Sequence, residues 1–126
     1  MTAGALTAGT GTASAATPSN VDFRVSKMQS DGSRSVLVVH KGRAVGAAYW
    51  QANGDTLKAV DTFADGYGVA AYLGTSPVRE ASTYGRKSPY TATKGGNLKE
   101  GKKYTFWVCF GGQSGQLCSA VYNVKS

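Results

Sequence analysis

Tyr104-Thr105-Phe106-Trp107-Val108-Cys109 and Cys118-Ser119-Ala120-Val121-Tyr122-Asn123-Val124 are two runs rich in aromatic and β-branched residues, with eight residues dominated by glycine and glutamine between them. That arrangement reads as a β-hairpin. Tyr104, Phe106, Val108 and Phe110 share one face of the first run, and Thr105, Trp107 and Cys109 share the other. One of these faces must be core. The second carries Trp107 and Cys109, so the strand is expected to be central rather than an edge. On the last run Cys118, Ala120, Tyr122 and Val124 are expected to share a face, which sets Cys118 opposite Cys109. These are the only two cysteines. A redox dithiol is normally Cys-x-x-Cys at a helix start, and zinc would need two more soft ligands where the chain holds a single histidine, His40. A structural disulfide follows, and closing a loop of about ten residues contributes roughly 2.5 to 3 kcal/mol by the chain-entropy model.

Upstream of the hairpin, apolar and polar residues alternate and nothing sustains a helical period. Val21, Phe23 and Val25 describe a half-buried strand, 35–40 a more deeply buried one, and 43–51, 56–62 and 67–73 three more. Asp31-Gly32, Lys41-Gly42, Asn53-Gly54-Asp55 and Ala64-Asp65-Gly66 turn the chain between them. After Gly74-Thr75-Ser76-Pro77 a polar stretch runs to Lys94. Short strands with turns at intervals of about eight to twelve residues predict an all-β chain, a single antiparallel β-sandwich of about seven or eight strands.

Residues 1–16 carry no charge, consist mostly of Ala, Gly and Thr, and end in Ala13-Ser14-Ala15-Ala16, which matches the small-residue cleavage site of a secretory signal. They read as the remnant of that signal or as a disordered tail, with the domain in 17–126. Paired cysteines agree with a secreted, extracellular protein. No run approaches the length of a membrane span. The net charge is +7, concentrated between Arg79 and Lys103, where seven Lys or Arg stand against two Glu. Outside the cell such a balance points to wall polymers, acidic polysaccharides or membrane surfaces, and less to nucleic acid.

Two resemblances bear on this outline. The pattern from Leu98 to Val108, with Gly101 and an inward Tyr104 before a strand, resembles the approach to the F strand of fibronectin type III and immunoglobulin-like domains. Over a longer span, Trp50-Gln51-Ala52-Asn53-Gly54-Asp55, Asp61, Asp65-Gly66-Tyr67-Gly68-Val69 and the terminal hairpin are similar to a group of small secreted proteins of filamentous, Streptomyces-type actinobacteria. That likeness implies a secreted β-sandwich and supplies no activity.

Catalytic sets are hard to assemble. His40 ends an apolar strand with no Gly-x-Ser-x-Gly motif in the chain and reads as a surface residue. Glu80 and Glu100 have no spacing that favours glycoside cleavage. Asp55, Asp61 and Asp65 are separated by a predicted strand, so each is expected to order a turn or face solvent rather than hold calcium. Neither a metal nor another cofactor is expected, and the chain is read as a non-enzyme. Binding features are better represented. Arg79, Tyr84, Arg86, Lys87, Tyr90 and Lys94 interleave cations with tyrosines, side chains that interfaces favour, although a solvated loop reads the same way. Trp50 could present an aromatic platform to a sugar ring or pack in the core, and the segment 110–117 is a second contact candidate. The expectation is a secreted binding or adaptor module for a secreted or cell-surface protein, or for an anionic wall polymer or polysaccharide. A subunit of a secreted antibacterial toxin complex, or a secreted protein inhibitor, is the alternative.

Overall fold

The alternation found in the sequence becomes two antiparallel sheets packed face to face. The computed structural model describes residues 17–126, and the expected signal remnant in 1–16 lies outside the described residues. Strands β1 (Val21–Val25), β2 (Arg34–His40), β3 (Arg43–Gln51), β4 (Thr56–Asp61) and β7 (Tyr90–Lys94) form the first sheet in the order β1-β2-β3-β4-β7. Strands β5 (Gly68–Leu73), β6 (Arg79–Ser82), β8 (Lys103–Gly112), β9 (Gly115–Cys118) and β10 (Tyr122–Lys125) form the second. There β8 pairs with β5 along one side and with both β9 and β10 along the other. It is therefore the central strand that the aromatic pattern called for.

Val36, Val38, Trp50, Leu57 and Ala59 of the first sheet meet Val69, Leu73, Phe106, Val108 and Phe110 of the second in one continuous core. Trp50 reaches across this layer, donating its Nε1–H to the Lys125 carbonyl at 2.8 Å. Lys41 and Gly42 both hold positive φ between β2 and β3, the geometry whose twist matches a two-residue hairpin.

Among the described residues ten strands appear where seven or eight were expected, for two reasons. The polar stretch before Lys94 supplies the short strands β6 and β7, which give the hydrophobic core only the small Ala81 and Ala92. In addition, the second arm of the terminal hairpin is broken. Cys118 pairs with Cys109 and Tyr122 with Phe106, so one extra residue is taken up in 119–121. Ser119 occupies the break, donating its backbone N–H to the Val108 carbonyl and accepting the Val108 N–H on its Oγ at 3.1 Å. Cys118 and Tyr122 consequently lie on opposite faces instead of the shared face expected. The segment 110–117 also proves to be mostly strand, closed by a tight turn at Gln113-Ser114. The expected disulfide, Cys109–Cys118, joins directly opposed residues.

Candidate functional site

Strand alternation decides what the second sheet shows on its outer face. Val69, Leu73, Phe106, Val108 and Phe110 point to the core, so Ala70 and Tyr72 of β5, Glu80 and Ser82 of β6, Trp107 and Cys109 of β8, and Gln116 and Cys118 of β9 point away from it. Gly68 and Gly111 oppose each other on this face, and the missing side chains leave a trough. Tyr84 lies in it. A Cβ on Gly68 would stand 2.9 Å from Tyr84 Cδ1, whereas one on Gly111 would run into the backbone of the paired strand β9 at the Gly115 oxygen and Gln116 Cα. The ring thus crosses the sheet, and its hydroxyl donates to Gln116 Oε1 at 2.8 Å.

Four residues further along β5 and β8, Tyr72 stacks on Trp107 with ring centroids 5.4 Å apart and planes 11° from parallel. The Tyr72 hydroxyl donates to Glu80 Oε2 at 3.2 Å. Between the two tyrosines lie Ala70, Ser82 and the disulfide. Arg86 and residues 113–116 complete a cleft of about 630 Å³. Burial, reinforced by Glu80, pushes the Tyr72 phenol up to about 12. The Tyr84 phenol is raised as well, by burial first and then by Tyr72 and Glu80. Both hydroxyls are therefore fixed donors at neutral pH.

A second concavity, of about 580 Å³, continues round the end of the sandwich and shares Tyr84, Arg86 and Gln113 with the first. Glycines 66, 68, 85, 111 and 112 line it, with Asp61 at its back. Asp61 is 2% exposed and accepts the Ser88 hydroxyl at 2.5 Å, while burial raises its pKa. Nearby, His40 corrects the expectation of a surface histidine. It is 9% exposed and packs its ring against Tyr67 and Phe110 at 5.4 and 5.1 Å, with Nδ1 3.9 Å from Asp65 Oδ2. Tyr67 and Phe110 come from the far side of the core, which covers this strand end.

The sequence-predicted residues divide into two groups. Tyr84 and Arg86 line the outer cleft, Lys87 stands at the rim of the second concavity, and Arg86 Cζ lies 5.2 Å from the Tyr90 ring centre. These four are brought together. Arg79 is committed elsewhere, donating to the carbonyls of Asp55 at 2.7 Å and Gly96 at 3.1 Å, which ties two loops. Lys94 is exposed at the end of the edge strand β7. Trp50 is 1% exposed and cannot be a platform, because its register opposite Leu57 aims it into the core. Asp55 and Asp61 are buried rather than solvent-facing and tie down distant loops, Asp55 Oδ2 accepting the Leu98 N–H at 2.9 Å and Asp61 the Ser88 hydroxyl, whereas Asp65 orders its own turn by accepting the Tyr67 N–H on Oδ1 at 3.0 Å. Among the described residues, no group of three or more His, Cys, Asp or Glu gathers at metal-binding distance.

Sequence reasoning missed Tyr72, Glu80 and Trp107 as parts of a site, whereas Gln116 falls within the segment 110–117 expected to be a second contact and lines the outer cleft. For Tyr72 and Trp107 the signal was present, since both stand out of phase with the apolar residues flanking them. No protein-family model, curated protein or solved structure matches the chain.

Proposed function

We propose that the domain is a secreted, non-catalytic binding module that engages an anionic wall polymer or polysaccharide through the surface around Tyr84, Arg86, Lys87 and Tyr90. The observation that carries this reading is the state of the cations. Among the described residues the only Lys, Arg or His side chains lying against a carboxylate are Arg24, beside Asp22, and His40, beside Asp65, so none of the seven Lys and Arg residues between 79 and 103 does so. Cations left unpaired beside a cleft keep their field for a ligand. A binding role is supported further by the packing of the single histidine against aromatic rings. The disulfide, together with the lack among the described residues of any helix long and apolar enough to cross a membrane, is compatible with an extracellular location.

The test is retention on insoluble cell-wall material and on immobilised dextran sulfate between about 0.05 and about 0.5 M salt, where screening shortens from over ten to a few ångströms. Retention should collapse across that range and weaken in the Arg86→Gln/Lys87→Gln variant. Salt-insensitive retention, or capture of one secreted protein that ignores the double substitution, would instead support an adaptor or inhibitor.

A further inference from the structure

The outer face of the second sheet is more than a local cleft. Following β8 from Gly111 to Lys103, the face presents Gln116, the disulfide, the Tyr72–Trp107 stack, Thr105 opposite Asn123, and finally Lys103 opposite Lys125. Eight residues at about 3.3 Å each make this path about 26 Å long. Arg86 stands at its first end and the two lysines at its last. The middle is neither basic nor purely apolar.

We propose that this face is a groove for one extended acidic polysaccharide chain, whose sugar rings lie over Trp107 and Tyr72 and whose anionic groups meet Arg86 at one end and Lys103 and Lys125 at the other. The inference rests on the binding-module reading and specifies its site and ligand.

Chemistry narrows the occupant. Half-buried aromatic rings offer apolar surface to the C–H faces of a pyranose. Glu80 and Gln116 are each held by a tyrosine hydroxyl through one oxygen, which leaves the second Glu80 oxygen and the Gln116 amide N–H groups for ligand hydroxyls. A nucleic acid carries few hydroxyls for Glu80 and Gln116 and is held by cations along its whole backbone, which the middle of this path lacks. An extended peptide is recognised chiefly through backbone hydrogen bonds at a sheet edge, and this surface is a sheet face showing only side chains. A path with cations at its ends and aromatic rings and hydroxyl partners in the middle suits a hydroxyl-rich acidic chain, such as a polyuronate.

The chain has two tryptophans, and Trp50 is sealed in the core, so intrinsic fluorescence changes report on Trp107. Titration with oligomers of polygalacturonate should alter the emission and saturate, while neutral dextran and inorganic polyphosphate of matched charge should each bind at least about tenfold more weakly. Trp107→Ala should lower affinity about tenfold, and Trp107→Phe should abolish the signal while calorimetry still detects binding. Lys103→Gln, an exposed change at the far end, should weaken binding about threefold.

Polyphosphate binding as tightly as polygalacturonate would overturn the groove, and so would dextran binding equally well. If polygalacturonate binds in a salt-sensitive way that ignores Trp107→Ala and Lys103→Gln but responds to Arg86→Gln/Lys87→Gln, the groove is refuted and the broader reading stands. If no acidic polymer binds, both fall.

Discussion

Replacing both Cys109 and Cys118 with alanine removes the staple and tests whether it stabilises the domain or only decorates a hairpin that closes unaided. The two residues are separated by nine positions, so the closed loop holds about ten residues. The chain-entropy relation then gives about 9 cal/mol/K, or about 2.7 kcal/mol at 25 °C. Cys109 is 1% exposed, and losing its buried sulfur adds a small packing term, for a total of about 3 kcal/mol. In a single domain of this size that is a large share of the whole stability and corresponds to a fall in melting temperature of roughly 10 to 20 °C. Urea unfolding followed by fluorescence of the buried Trp50 would register it as a lower midpoint with a similar slope. A local effect should accompany the global one, because β9 carries Gln116 and its pairing ends at the bridge. Amides of 115–118 should exchange faster than those of β5 at equal global stability. A midpoint shift equivalent to less than about 0.5 kcal/mol would refute the reasoning, since it would mean the two-residue turn already restricts the unfolded arm.

Three further outcomes follow from the packing. Gly68→Ala should cost about 1 to 3 kcal/mol, because its Cβ would press on Thr83 Oγ1, the acceptor of the Val69 N–H, and on the Tyr84 ring, whereas Gly112→Ala meets nothing within 4 Å and should be near neutral in the same urea assay. Trp50→Phe should cost about 2 to 3 kcal/mol by leaving the Lys125 carbonyl without its donor, yet leave polygalacturonate affinity unchanged; a loss of affinity at equal folding would contradict its placement in the core. The raised phenols fix an alkaline limit. Their folded values lie above the ordinary 10, so their contribution is complete below about pH 10 and is lost as pH rises towards and beyond about 12, a decline that Tyr72→Phe and Tyr84→Phe should soften in a pH series of urea midpoints.

How far the sequence could be read depended on whether an element announces its own period. Strands β1 to β5 were legible to within a residue or so because each carries apolar residues at alternate positions between clear turn signals. β6 and β7 were not, since their contributions to the core are an alanine apiece among polar neighbours, and only pairing with β5 and β4 makes them strands. Phase without partners is also ambiguous. Tyr49 and Trp50 are adjacent, and alternation says that they face opposite ways without saying which is inward; the register opposite Lys58 and Leu57 decides it. The break at 119–121 depends on one serine hydroxyl replacing a backbone acceptor, which no pattern of apolar residues records. The cleft is less local still, because its defining bond joins Tyr84 to a glutamine 32 residues away.

β8 links these levels, because its two faces do different work. Phe106, Val108 and Phe110 sit at zero exposure and hold the two sheets together, while Lys103, Thr105, Trp107 and Cys109 are spaced along the outward face. A substitution on the first set must be felt as stability, and one on the second can be felt as affinity alone. The disulfide belongs to the second set, which changes its meaning: besides restricting the unfolded chain, it forms the floor between the Tyr84–Gln116 and Tyr72–Trp107 rows and fixes their spacing. Loss of the bridge should therefore reduce glycan binding even under conditions where the domain remains folded, whereas an equally destabilising change in the core, such as Val108→Ala, should not. That contrast separates a staple that serves the scaffold from one that also shapes the face, and only the second is consistent with a groove running along β8.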